Sequence, residues 1–167
     1  DTLRHDPALK IACDKRPDAD IGLASQPTLS RLENGGSWRM LARMGLKMID
    51  AFCDSYARVP SQIVLDIDDT VAHGGQQLSL FSTHAGDTCF QPILIFEAGT
   101  EKPVAALLRP GKRPSGEEAA GVLRHVIRRI RSNWPRVKIM LRGDGHYGTP
   151  EVMDVLEDMG CSYVFGL

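Results

Sequence analysis

Residues 63–71 (IVLDIDDTV) end an apolar run with three carboxylates and a threonine. In an extended strand successive side chains alternate, so Asp66 and Asp68 point one way and Asp69 the other. Two carboxylates on one face at the end of a buried strand repel each other unless a cation or a proton relieves them. One chemistry that exploits this is a divalent-metal site for phosphoryl transfer; the plainer alternative is a solvated acidic turn. A second acid, Asp144, follows the apolar stretch 138–141 inside RGDGHYG (142–148). Glycines on both sides let the backbone turn sharply and let a bulky ligand approach. Alone, Asp144 is equally well an Asx-type turn residue. If the two strands are neighbours, Asp68 and Asp144 meet outside their carboxyl ends, where open α/β sheets place their sites. His146 and Tyr147, beside Asp144, then either contact phosphate or pack the loop.

The elements that must position these residues are legible from periodicity. Asp6-Pro7 suits a helix start, Ser25 caps a short helix closed by Gly35-Gly36, and Ser37 caps a longer one with Trp38, Leu41, Met48 and Phe52 at helical spacing. Strands are expected at 62–68, 90–97, 103–108, 137–141 and 162–167, with a short one at 77–81. The turn at Gly99-Thr100 makes a hairpin of 90–97 and 103–108. Helices are expected from Ser115, with Glu118 three residues on in a capping-box pattern, and from Pro150 to Met159. The fold class is therefore α/β: a mixed sheet, antiparallel hairpin first and then β-α-β-α-β, preceded by an N-terminal helical segment. The domains read as 1–60, helical, and 61–167, the sheet-bearing core.

The chain has 167 residues, 43% hydrophobic and 25% charged, with a net charge of −1, which suits one globular domain with a small appendage and not a uniformly basic nucleic-acid binder. Residues 102–142 are nonetheless rich in Lys and Arg, including Arg109, Lys112 and Arg142, with only Glu117 and Glu118 as acids. That run offers either a phosphate-binding surface or a solvated helix face. Four scattered cysteines with no CxxC pair read as reduced, mostly buried thiols. No apolar run approaches the ~20 residues of a membrane helix. The lack of an initiator Met and the apolar final residues suggest a segment of a longer protein.

The motifs LRHDP (3–7), ASQPTLSRLEN (24–34), LDIDDT (65–70), GQQLSLF (75–81), CFQPI (89–93), LRPGK (108–112), RGD (142–144) and HYG (146–148) occur in an order that resembles bacterial insertion-sequence transposases of the DDE class. The resemblance implies an RNase H-like core whose catalytic acids bind two Mg²⁺ or Mn²⁺ ions. It puts the first acid at Asp68, in an Asp-x-Thr setting, with Asp66 in reserve as a metal ligand, and the second at Asp144. The third, a Glu on a helix after the fifth strand, is expected beyond Leu167; Glu151 and Glu157 are poor substitutes. A metal-activated water would cut a transposon end, and the freed 3′-hydroxyl would attack target DNA. The partners implied are transposon-end and target DNA and a second copy in a homodimer, with no membrane and a cytoplasmic, nucleoid-associated location in a bacterium. Arg31, Arg109, Lys112, Arg142 and His146 are candidate DNA contacts, with Gln76 and Gln77 undecided. Residues 25–33 suit a recognition helix or a plain connector. The loop after Thr70 is shorter than in relatives, an Asp often found there is absent, and Gly145 stands where Ser is common.

Two alternatives remain open at this level. Asp66-x-Asp68-x-Thr70 also fits the nucleophile loop of haloacid-dehalogenase-like phosphatases, with Asp66 as phosphoryl acceptor and Asp68 as acid/base. The antiparallel hairpin and the missing acid after Asp144 argue against that reading. The other alternative is a transposase remnant that binds DNA without cutting it.

Overall fold

The computed structural model describes residues 2–74, 79–83 and 85–166. A 3-10 turn at Thr2–His5 leads into α1 (Pro7–Ala12), α2 (Gln26–Asn34) and α3 (Trp38–Asp54). Then come β1 (Gln62–Asp69), β2 (Ala72–His73), β3 (Leu80–Ser82), β4 (Asp87–Phe90), β5 (Ile93–Glu97) and β6 (Lys102–Leu107). The chain continues with α4 (Gly116–Asn133), β7 (Lys138–Gly143), a 3-10 turn at Gly145–Tyr147, α5 (Pro150–Asp158) and β8 (Ser162–Phe165). Two compact units divide it, Asp1–Ala42 and Arg43–Leu167, with the boundary inside α3.

The first unit is built from capped helices. Asp6 accepts a hydrogen bond from the Leu9 amide at 2.9 Å, and Pro7 fills the first position of α1, where a missing N–H costs nothing. Lys10 is buried because its ammonium donates to the Ala19 carbonyl at 2.6 Å. No apolar residue of this unit is buried; the hydrophobic core begins at Ile49.

The second unit is a five-stranded sheet in the order β6-β5-β1-β7-β8. β5 runs antiparallel to both β1 and β6, while β1, β7 and β8 are parallel. The carboxyl ends of β1, β7 and β8 and the start of β5 therefore share one edge. A three-stranded antiparallel sheet, β2-β4-β3, follows the end of β1. The single strand expected over 90–97 is two strands in two sheets. Pro92 has no N–H for a ladder, so β4 stops at Phe90 in the small sheet and β5 begins at Ile93 in the large one. The strand expected at 77–81 falls partly outside the described residues, and β3 carries its end.

Alternation along β1 buries Ile63, Leu65 and Ile67. Into the same core α4 sends Ala119, Leu123, Val126, Ile127 and Ile130, α5 sends Val152 and Leu156, and α3 sends Ile49 and Phe52. Each such large side chain contributes about 1.5–3 kcal/mol of burial. The Ser115 hydroxyl accepts from the Glu118 amide at 3.2 Å and starts α4 as the capping pattern predicts. α3 is tied to α4 by Asp50, which accepts two 2.6 Å hydrogen bonds from Arg129 and one of 3.1 Å from Asn133. The Arg129 guanidinium, helped by Asn133, holds the Asp50 carboxyl well below the usual carboxylate range. The thiols are all free; Cys53, Cys89 and Cys161 are buried and Cys13 is exposed. Among the described residues no helix is long and apolar enough to cross a membrane.

Candidate active site at the strand ends

The parallel register of β1 and β7 pairs Leu65 with Leu141, Asp66 with Arg142 and Ile67 with Gly143. Asp68 and Asp144 are the next residues on each strand, just past the last pair, where neighbouring strands lie about 4.8 Å apart. The condition set by the sequence, that these two strands be adjacent, is met. Both acids are exposed. Asp68 Oδ1 accepts a local hydrogen bond from the Asp69 amide at 2.8 Å. Among the described residues neither Asp68 nor Asp144 has a basic side chain in ion-pair contact. The chain beyond β8 runs past the same point: the Gly166 amide donates to the Gly143 carbonyl at 3.0 Å.

The other two acids of this edge are engaged by side chains of the protein. Asp66 accepts a bidentate pair from Arg142, Nε to Oδ1 and Nη2 to Oδ2, each 2.7 Å, across the register pair that joins them. Asp69, on the buried face, is only 6% exposed at its side chain. The Tyr147 hydroxyl donates to its Oδ1 at 3.1 Å, and the Gln91 amide nitrogen donates to Oδ2. His146 Nε2 lies 2.7 Å from Oδ1 but off the hydrogen-bonding direction, so this approach is a charge contact when the ring is protonated. Burial, and then the Asp69 charge, raise the Tyr147 hydroxyl far above its ordinary value, which keeps it a proton donor. Gly143 makes room for this packing: a Cβ there would meet Ile67 Cγ2 at 2.8 Å and Tyr147 Cδ2 at 3.5 Å.

Arg109, expected as a phosphate contact, is turned inward. It is 6% exposed and donates to Glu118 through Nε (2.6 Å) and Nη2 (2.5 Å), and through Nη1 to the carbonyls of Lys112 (3.0 Å) and Gln91 (3.4 Å). That pairing holds the Glu118 carboxyl below its ordinary value despite partial burial. Much of the basic run is likewise consumed within the fold. Arg129 holds Asp50, Arg131 donates to the Met159 carbonyl at the end of α5, and Lys102 donates to Ser55 and lies over the Tyr56 ring. Lys112 remains exposed, and Arg142 is paired but half-exposed. Arg31 is exposed on α2 in the first unit. Of the acids set aside earlier, Glu157 accepts from the Tyr163 hydroxyl at 2.7 Å, and Glu151 lines a groove between α4 and α5. Gln76, Gln77 and His84 lie outside the described residues. Gln91, although CFQPI contains it, escaped the sequence reading as a site residue; alternation gives Asp69 only as pointing away from Asp66 and Asp68, and Tyr147, by sequence either a phosphate contact or a loop-packing residue, is packed against Asp69.

A mixed five-stranded sheet in this order, with a hairpin against β1 and parallel strands on its other side, is the RNase H-like fold. All of residues 1–167 match the model of the transposase DDE domain group 1 family, and the chain belongs to that family. Among solved structures it resembles the piggyBac transposase in its synaptic complex with hairpin DNA, at 11% identity and TM-score 0.51, covering 84% of this chain and 28% of that one. The catalytic domain of Mos1 mariner transposase is also similar, at 12% identity and TM-score 0.45, covering 77% of this chain and 61% of that one. So is a Mos1 mariner paired-end complex with Mn, at 11% identity and TM-score 0.42, covering 98% of this chain and 54% of that one. The chain thus spans less than two thirds of the length of these relatives. No curated protein matches the sequence.

Proposed function

We propose that this chain is the catalytic region of a bacterial insertion-sequence DNA transposase, with Asp68 and Asp144 as two of its metal-binding acids. The observation that carries the reading is the division of the four acids at the sheet edge. Asp66 and Asp69 are satisfied by Arg142, Tyr147 and Gln91, while Asp68 and Asp144 stand exposed at adjacent strand ends without a cation from the described residues. Carboxylate oxygens are the ligands that Mg²⁺ and Mn²⁺ prefer, so the donor set fits those ions. When bound, a pair of such ions supplies Lewis-acid stabilisation of the attacking and leaving oxygens of a phosphodiester.

The chain's own residues then bind and orient. Asp68 and Asp144 would hold the metals from the ends of adjacent strands. Lys112 and the outer face of Arg142 hold the DNA backbone near the site, His146 borders it, and Arg31 on α2 reaches DNA from the first unit. The partners are transposon-end and target DNA, the working form is a homodimer, and the setting is the bacterial cytoplasm. Against a phosphatase, the acceptor that chemistry needs, Asp66, is held in a bidentate ion pair, and β5 beside β1 is antiparallel. The test uses the full-length protein on a transposon-end duplex. Mn²⁺-dependent nicking lost in Asp68→Ala and in Asp144→Ala is the expected result. Hydrolysis of small phosphate esters lost in Asp66→Ala would replace the reading with a phosphatase, and salt-sensitive end binding with no cleavage would reduce it to a DNA-binding remnant.

A further inference from the structure

We infer that Asp69 is a positioning residue that sets the separation of Asp68 and Asp144 by clamping the end of β1 to the 3-10 turn after β7; the inference rests on the function proposed above. Asp69 directly follows Asp68, and its two closest partners on the other strand, His146 and Tyr147, lie two and three residues past Asp144. The Tyr147 hydroxyl donates to Oδ1 at 3.1 Å, and His146 Nε2 approaches the same oxygen at 2.7 Å. Each strand end is thus held by a buried contact a few bonds from the acid it presents. The rings of His146 and Tyr147 pack at 4.1 Å between centroids, which joins the two contacts within one turn.

The clamp is anchored on its other side as well. Gln91 donates to Asp69 Oδ2, and its own backbone is fixed by the Arg109 carbonyl (3.0 Å) and the Arg109 guanidinium. Arg109 in turn is locked on Glu118 at the start of α4. A continuous run of polar contacts therefore leads from the helix layer through β5's approach to the two strand ends. A buried carboxylate persists only when its oxygens are satisfied, and removing it leaves the Tyr147 and Gln91 donors without an acceptor. The β1–β7 ladder ends before this contact, at Ile67 and Gly143, and on the other side Asp69 pairs with Ile93 of β5 through backbone that a side-chain substitution leaves in place. Loss of the clamp should therefore loosen the site more than the fold.

The experiment measures Mn²⁺ affinity by electron paramagnetic resonance of the free ion in the full-length protein, alongside thermal melting and end-duplex binding in EDTA. Asp69→Ala should weaken Mn²⁺ binding by about 10-fold, the low end of the loss seen when the hydrogen-bond partners of metal ligands are removed, because here the support reaches the ligands through the backbone; metal-free DNA binding should hold. Tyr147→Phe removes one oxygen, keeps the ring, and should weaken Mn²⁺ binding several-fold; it decides the matter should Asp69→Ala fail to fold. Wild-type Mn²⁺ affinity in Tyr147→Phe and in any folded Asp69→Ala, with affinity lost in Asp68→Ala and Asp144→Ala, would overturn the positioning role and leave the site reading intact. Mn²⁺ affinity retained in Asp68→Ala and Asp144→Ala would overturn both.

Discussion

Replacing Arg109 by Ala separates a structural clasp from a DNA contact. The side chain is 6% exposed, whereas its partner Glu118 is 43% exposed. Breaking a fully buried ion pair costs about 3–5 kcal/mol, but water can reach the Glu118 carboxylate once the guanidinium is gone, so that part falls to about 1 kcal/mol. The carbonyls of Lys112 and Gln91 also lose a charged donor; the 3.0 Å bond is sound and the 3.4 Å bond weak, together about 1–2 kcal/mol. The sum is about 2–3 kcal/mol, which lowers the melting temperature by roughly 5–10 °C at this chain length. Differential scanning calorimetry reads the stability, and end-duplex binding across a salt series reads the electrostatics. A clasp leaves the slope of log K against log salt unchanged, while loss of one phosphate contact flattens it by about 0.9. Arg109→Ala with unchanged melting and a flattened slope would refute the assignment and make Arg109 a DNA contact.

The acid side of the same pair gives a second prediction. Arg109 lowers the folded-state pKa of Glu118, so its stabilisation is complete above the ordinary glutamate range and is lost as pH falls through the folded value. The melting-temperature gap between wild type and Glu118→Gln should therefore close on acidification, and a gap constant down to strongly acid pH would contradict it. At the strand ends, Asp68→Asn should abolish Mn²⁺-dependent nicking and Asp66→Asn should leave most of it, because Asp66 is already paired with Arg142; equal losses in a nicking assay would count against the division of roles. Glycine packing supplies a matched pair for melting. Gly143→Ala drives a methyl to 2.8 Å from Ile67 Cγ2 and should cost about 1–3 kcal/mol, while Gly121→Ala in α4 meets nothing within 4 Å and should gain about 0.5–1 kcal/mol. The reverse order of melting temperatures would show the strand ends to be looser than described.

Periodicity exposed what repeats and hid what does not. β1, β5, β6, β7 and β8 carry alternating or continuous apolar runs, and α3 and α4 a helical stripe, so their existence and order can be read directly. β2 has two residues and β3 three, too few for any period, and the break at Pro92 is visible only once β4 is known to pair elsewhere. Charges misled for a related reason. An Arg in a Pro-Gly loop looks solvated, yet Arg109 is buried because the β4–Pro110 bridge and the start of α4 bring Glu118 to it. Alternation alone put Asp66 and Asp68 on one face and Asp69 on the other, and the burial of Ile63, Leu65 and Ile67 agrees. What alternation could not supply was the partner of each acid, because partners belong to neighbouring strands and depend on register.

Register therefore has a direct consequence for the chemistry. Alternation separates Asp69 from Asp66 and Asp68, but nothing in the local sequence assigns each acid its partner. They differ because Arg142 lies opposite Asp66 and because Gly143, opposite Ile67, leaves space for the Tyr147 ring under Asp69. A one-residue slip of β7 along β1 would send Arg142 to the other face, release Asp66, and drive a side chain into the space Tyr147 needs. The buried pairs Leu65–Leu141 and Ile63–Ile139 oppose that slip, since it would turn their apolar side chains outward. The hydrophobic core thus selects which carboxylates at this edge stay free of protein cations. The strand beside the motif closes Asp66, the acceptor a phosphatase would need, into an ion pair and leaves Asp68 and Asp144 exposed, the division on which the proposed function rests.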